Sequence, residues 1–355
     1  MTPLGERIRR LIASSGPLSV ADYMATCLFD PQHGYYTTRE PFGRDGDFIT
    51  APEISQMFGE LVAVWLVQAW QAGGMPMPAT IAEIGPGRGT LMKDAVRTIR
   101  RLAPNLASRA GFALVEASPR LIAVQRETLL GAGPSFSWHS GVETLPDEPL
   151  FVVGNEIFDA LPFRQFVRTD RGWLERAVGI DDDGNFRFTT GTAALPHDTL
   201  PPDVRDAGRG SVFEIAPARE ALMSAIADRV ATHGGAGIFF DYGHLVPSVG
   251  DTFQAVRRHR SEDVFAHPGE ADLTSHVDFS ALAAVARAHG LRTQLSKQGE
   301  FLLGMGLLER AGRLGQSAGE DVRRKISAEV ERLAGPDAMG DLFKVLTILP
   351  GLADE

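Results

Sequence analysis

The run Thr80-Ile81-Ala82-Glu83-Ile84-Gly85-Pro86-Gly87-Arg88-Gly89-Thr90 constrains this chain more than any other stretch. An apolar segment of strand length ends in an acid, then turns through glycines at alternate positions. Helix-like sequence from Leu91 to Leu102 follows directly. Glycine is required where backbone turns sharply and must approach a ligand with no Cβ in the way. A strand–turn–helix unit of this kind puts that ligand at the carboxyl edge of a parallel sheet. The spacing excludes two common readings. The dinucleotide fingerprint wants a third glycine or alanine where Thr90 stands, and no Gly-Lys-Ser/Thr follows as a P-loop requires.

At 355 residues the chain has length for about two units or for one domain with insertions. With 44% hydrophobic residues it can bury a large core. The net charge of −10 and pI near 5.4 speak against a general nucleic-acid surface. A single cysteine, Cys27, precludes an internal disulfide and a cysteine zinc site. No stretch approaches the ~18 apolar residues of a membrane span. The first twenty residues carry Arg7, Arg9 and Arg10 without a long apolar region, so a secretory signal is not expected and the location is expected to be cytoplasmic.

Along the chain, residues 1–75 are expected to be helical, interrupted by an irregular loop from Asp30 to Glu53 that mixes glycines, charges and aromatics. Such a loop inside a compact protein usually serves a function. Strand-like runs then alternate with helical ones: Phe112–Val115, Phe136–His139, Leu150–Gly154 and Gly237–Phe240, with helices at 119–130, 216–233 and 277–290. That alternation predicts a mostly parallel sheet. Two strand-like runs around Gly299 are expected to form a closing antiparallel pair. Between 163 and 215 short alternating segments flank Asp183-Gly184, a hairpin signal. The expected organisation is 1–75 as a helical region with a cofactor-covering loop, 76–162 and 216–309 as the two parts of the core, 163–215 as a β-rich insertion, and 310–355 as a helical tail.

Acids terminate several predicted strands: Glu83, Glu116 and Asp241, with Asn155-Glu156 on the fourth. This edge is where open α/β sheets bind ligands. Glu116 is positioned to accept both ribose hydroxyls of an adenosine, and Trp138-His139 to pack an adenine edge; a solvated acid and a surface histidine are the bland alternatives. Glu156 and Asp159, three apart, would share a face of a helical turn and together bind a guanidinium, unless Asn155 and Asp159 only cap a helix. The histidines show no paired metal-ligand spacing, so no metal is expected.

The E-x-G-x-G-x-G turn resembles the first motif of class I S-adenosylmethionine (SAM) methyltransferases. Taken with His33-Gly34-Tyr35-Tyr36, Gly46-Asp47-Phe48-Ile49-Thr50-Ala51-Pro52-Glu53-Ile54-Ser55, Gly154-Asn155-Glu156-Ile157-Phe158-Asp159-Ala160-Leu161-Pro162 and Asp241-Tyr242-Gly243, the chain closely resembles the MidA-like family of SAM-dependent methyltransferases. That family includes mitochondrial factors that methylate an arginine on a respiratory complex I subunit. The resemblance implies a seven-stranded class I α/β sheet, mostly parallel and Rossmann-like, plus an N-terminal helical region and a β-rich insertion. It also implies a protein substrate with an arginine acceptor, and the lack of a long presequence suggests a bacterial member. On this reading Gly85, Pro86, Gly87 and Gly89 lie against SAM, Glu83 braces their turn, Glu116 holds the ribose beside His139, and Asp47 and Thr50 close over the cofactor. Glu156 and Asp241 orient the acceptor and favour its proton loss, with Asp159 and Asn155 in support. A SAM-fold assembly chaperone without turnover is the alternative, and the Thr90 spacing disfavours a nicotinamide dehydrogenase.

Overall fold

The computed structural model describes residues 2–38 and 49–351. It divides into two compact units. One comprises residues 1–48, 158–221 and 246–280, the other 49–157, 222–245 and 281–355.

The second unit is built on a mixed, mostly parallel sheet. Seven strands of this eight-stranded sheet are β1 (Thr80–Ile84), β2 (Gly111–Val115), β3 (Phe136–His139), β4 (Leu150–Asn155), β5 (Gly235–His244), β6 (Arg292–Lys297) and β7 (Phe343–Leu349). They lie in the order β6-β7-β5-β4-β1-β2-β3. The five strands from β5 to β3 are parallel, and β7 runs antiparallel to both β5 and β6. The chain leaves β1 toward β2 on one side and returns to β4 on the other. The carboxyl ends of β1 and β4 therefore flank the point where the strand order reverses, the ligand crevice of such sheets.

β1 and β4 are buried along nearly their whole length, which is why they read as continuous apolar runs. Helix α1 (Gln56–Ala72) begins at Ser55, whose hydroxyl accepts from the Met57 amide. It buries Phe58, Leu61, Val62 and Leu66 at helical spacing. Helix α2 (Thr90–Leu102) buries Leu91, Ala95, Val96 and Ile99 in the same core as Ile81, Phe112, Leu114, Phe151, Ile238 and Val345. Each large aliphatic or aromatic side chain so buried contributes roughly 1.5–3 kcal/mol. A charged cluster borders this core: the Glu60 carboxylate accepts from Arg310 at 2.6 and 2.9 Å and from Arg97 at 3.1 Å, and Arg97 also pairs with the buried Asp94 at 2.7 Å, tying α1 to α2 and to the Leu307–Gly315 helix.

Two expectations fail here. The residues after Lys297 form a helix, Gln298–Gly304, rather than a second strand. The Glu300 side chain accepts from the Lys297 amide at its start, and Gly299 packs so tightly that an added Cβ would lie 2.6 Å from the Ala334 carbonyl. The antiparallel partner of β6 is instead β7, within the segment expected to be a helical tail. Phe343-Lys344-Val345-Leu346-Thr347-Ile348-Leu349 is rich in β-branched residues and all but its last residue are buried. The helices expected in that tail do form, over Leu307–Gly315 and Glu320–Ala334.

The first unit packs helices Pro3–Ser15 and Val20–Phe29 with a sheet ordered Leu18–Ser19, Gly172–Ile180, Arg164–Thr169, Val212–Ile215, with Phe186–Leu195 also paired to Gly172–Ile180. The hairpin falls where Asp183-Gly184 signalled it. Gly184 sits at φ 81, and the Asp181 carboxylate accepts from the Asp183 and Asn185 amides. Its core gathers Leu4, Ile8, Tyr23, Met24, Leu28, Phe163 and Val178. A second small sheet pairs Gln254–Arg257 with Arg260–Glu262 and Asp272–Thr274.

Candidate active site

The turn after β1 uses its glycines as the sequence requires. Gly85, Gly87 and Gly89 all lie at positive φ, 61, 51 and 83°. The Gly85 amide donates to the Val115 carbonyl at 3.1 Å, and the Gly89 amide to Pro86 at 2.7 Å. A Cβ on Gly85 would stand 2.9 Å from Ile157 Cγ2, so even alanine crowds the turn against the exit of β4. Gly89 caps α2 without a side-chain bond, leaving helix amides open toward the turn. Thr90 is the residue that broke the dinucleotide spacing, and its hydroxyl donates to the Glu53 carboxylate.

Beneath the turn, Glu83 is buried and its Oε2 has no hydrogen-bond partner among the described residues. Burial pushes its carboxyl up from 4.5 to about 8, against a smaller opposing effect of the Met92 amide.

Glu116 follows β2. Its Oε1 accepts from the Ser118 amide at 2.8 Å and its Oε2 from Gln125 Nε2 at 3.1 Å. Burial raises its carboxyl, and those two donors and the Ala117 amide partly offset the rise. The Glu116 amide donates to the His139 carbonyl at 2.8 Å. The His139 ring is held locally: Nδ1 lies 2.9 Å from the Thr144 carbonyl and Nε2 3.0 Å from Ser137 Oγ.

Across the sheet edge, Ile84 pairs with Gly154 and Asn155 with Phe240. Glu156 and Asp241 are therefore each one residue beyond the last parallel pair on adjacent strands. The structure brings these two predicted acids together with the glycine turn at one carboxyl edge. β5 itself continues to His244, past the expected end at Asp241, and its ladder with β7 reaches Tyr242. Asp241 is fully buried and its Oδ1 accepts from the Tyr242 amide at 2.9 Å. The Glu156 amide donates to the Phe240 carbonyl at 2.8 Å, and Asn155 Nδ2 donates to Glu156 Oε1 at 2.9 Å. Asn155 Oδ1 is buried without a partner among the described residues.

The helical turn expected across Glu156 and Asp159 does not form. Glu156 adopts φ 55, left-handed backbone that non-glycine residues rarely take, because the ladder bond to Phe240 keeps it with the sheet before the chain turns away. Neither Asn155 nor Asp159 caps a helix there. Asp159 belongs to the first unit, where it is buried and its carbonyl accepts from Arg219 Nη2 at 3.1 Å. Thr50 stands at the N-cap of the short Ala51–Ile54 helix without a side-chain cap bond. Asp47 lies outside the described residues. No cluster of metal ligands occurs among the described residues.

Sequence reasoning missed Gln125, which is completely buried and bonds to Gly87, Glu116 and Trp138. Its signal was available: on helix α3 (Pro119–Thr128) it lies one turn after Leu121, a polar residue in the buried stripe.

Comparison with known proteins gives this geometry its family. Residues 61–296 match the family model described as "Putative S-adenosyl-L-methionine-dependent methyltransferase". The chain belongs to this family. Among curated relatives, protein arginine methyltransferase NDUFAF7 of Homo sapiens, mitochondrial, is 34% identical over 99% of this chain and 84% of its own length. The Drosophila melanogaster homologue is 34% identical over 98% and 85%. A crystal structure of a Burkholderia thailandensis protein bound to S-adenosyl-homocysteine superposes with a TM-score of 0.87 at 31% identity, covering 99% of this chain and 92% of that one.

The chain is thus a SAM-dependent methyltransferase with a Rossmann-like sheet, and the residues present fit that cofactor. Side-chain-free backbone lines the turn, Glu83 keeps a buried oxygen unsatisfied beneath it, and Glu116 offers a carboxylate held at both oxygens. When bound, SAM supplies a methyl group already activated on a sulfonium, so the protein has no leaving group to create.

Proposed function

We propose that this methyltransferase modifies an arginine side chain of a protein substrate. A guanidinium stays protonated in neutral water and is a poor nucleophile. A site that methylates it must hold the planar cation and accept the proton it sheds. Glu156 and Asp241 fill that role: carboxylates bind a guanidinium through paired, charge-assisted hydrogen bonds and fix its plane. The proton leaving the attacked nitrogen passes to one of these carboxylates. Holding the acceptor at near-contact distance and in line is worth up to ~7–11 kcal/mol in favourable cases. Asn155 fixes the Glu156 carboxylate through its amide.

In the same reading Gly85, Pro86, Gly87, Gly89, Glu83, Glu116, His139, Thr50 and Asp47 serve the cofactor, and the sheet is of the class I kind with one short strand more than the seven expected. The curated relatives are named protein arginine methyltransferases, which supports the acceptor, and a respiratory complex I subunit is the partner we favour. The single observation that carries the proposal is the pair of acids one step past the last parallel pair of β4 and β5.

The test compares methylarginine in proteins from cells with wild type, with Glu156→Gln and without the gene. The variant should bind SAM as wild type does and leave the substrate unmethylated. Methylarginine unchanged across all three would refute the arginine assignment, and a wild type that binds SAM with no methyl transfer at all would favour a chaperone.

A further inference from the structure

Gln125 makes no contact that the methyl-transfer chemistry needs, yet it is 0% exposed and uses its whole amide. Nε2 donates to the Gly87 carbonyl at 2.8 Å and to Glu116 Oε2 at 3.1 Å, and Oε1 accepts from Trp138 Nε1 at 2.9 Å. The amide has one orientation that satisfies all three. An indole N–H can only donate, while a carbonyl and a carboxylate can only accept. A buried amide missing such partners would be costly, so this arrangement is held firmly.

From these contacts we infer that Gln125 is the positioning residue of the cofactor site, locking three separate pieces of it into one register. Gly87 belongs to the turn after β1, Glu116 ends β2, and Trp138 lies on β3 under the Arg126 guanidinium, 5.0 Å from its ring centre. Among the described residues no other side chain is seen to bond to all three. Ser118 and Gln125 each hold one oxygen of Glu116, which fixes the carboxylate plane in which it would accept a ribose hydroxyl. The two donors also favour the ionised carboxylate that such acceptance needs. Glutamine suits this place and glutamate does not, since an anion there would face both Glu116 and the Gly87 carbonyl.

The inference rests on SAM being the cofactor, and the experiment separates the two. Titration calorimetry measures SAM and S-adenosylhomocysteine binding to wild type, Gln125→Leu and Gln125→Glu, between about pH 6 and 8. Gln125→Leu keeps the packing volume and loses three hydrogen bonds, one of them to a charged group. It should bind about 10- to 100-fold more weakly. Gln125→Glu preserves the shape, so it reports even if the leucine variant fails to fold. Its affinity should approach that of wild type at low pH, where the new carboxyl is protonated and can donate, and should fall as pH rises. A role in packing alone would give no such recovery. Folded Gln125→Leu with wild-type affinity, or a Gln125→Glu loss independent of pH, overturns the inference. Wild type that binds neither compound overturns the cofactor reading beneath it.

Discussion

Replacing Glu83 by glutamine isolates the titratable group that the fold has closed beneath the glycine turn. Burial raises this carboxyl from 4.5 to about 8, and its Oε2 finds no partner among the described residues. Below the unfolded value both states are protonated, and the group has no effect on stability. Between the two values the unfolded chain ionises while the folded chain keeps its proton, so stability falls as pH rises and levels off above the folded value. At about 1.36 kcal/mol per unit the full loss is ~5 kcal/mol, of which roughly 3 kcal/mol falls between about pH 5.5 and 8. Glutamine keeps the shape and has nothing to ionise. Urea unfolding of the ligand-free proteins, followed at several pH values, should therefore show Glu83→Gln gaining on wild type by roughly 3 kcal/mol across that range. A gap of constant size would show that Glu83 titrates near its ordinary value and that the enclosure argued for the turn is wrong.

Gly85→Ala should lower both the melting temperature and SAM affinity, because φ 61 costs a side chain ~1–2 kcal/mol and the new methyl meets Ile157; unchanged thermal shift with and without SAM would refute the close-approach argument. Glu116→Ala should weaken SAM binding by about 100-fold, the loss of acceptance by a charged group, as read by calorimetry. Equal affinity would remove Glu116 from the site. Glu60→Ala leaves Arg310 without its carboxylate while Arg97 keeps Asp94, and because both arginines are partly exposed it should cost ~1–3 kcal/mol of stability in urea unfolding; no measurable loss would show the cluster to be fully solvent-screened.

What the sequence disclosed followed from periodicity and from residues with narrow conformational rights. Glu83 through Thr90 announced a strand, a turn and a helix because glycine takes the positive φ found at three places there without the cost other residues bear. The apolar runs at 112–115, 150–154 and 237–240 were readable because parallel strands covered on both faces need no polar alternation. The pair Glu156 and Asp241 was noticed because both stand within two residues of the ends of such runs. Their relation to Asp159 was not, since spacing by three implies a common face only inside a helix, and ladder bonding held Glu156 outside one. β7 was misjudged because its sheet partners are remote in sequence, and local pattern alone does not choose between a tail and a returning strand. Gln125 escaped for a related reason. A glutamine in a helix is ordinary until the three groups it joins are seen around it.

The most direct trial of the account is a crystal of this protein soaked with S-adenosylhomocysteine. The account predicts the amino-acid end of the ligand over Gly85 to Gly89, both ribose hydroxyls on Glu116, and the sulfur directed toward Glu156 and Asp241. A ligand bound elsewhere, or a ribose held by other side chains with Glu116 turned away, would contradict it.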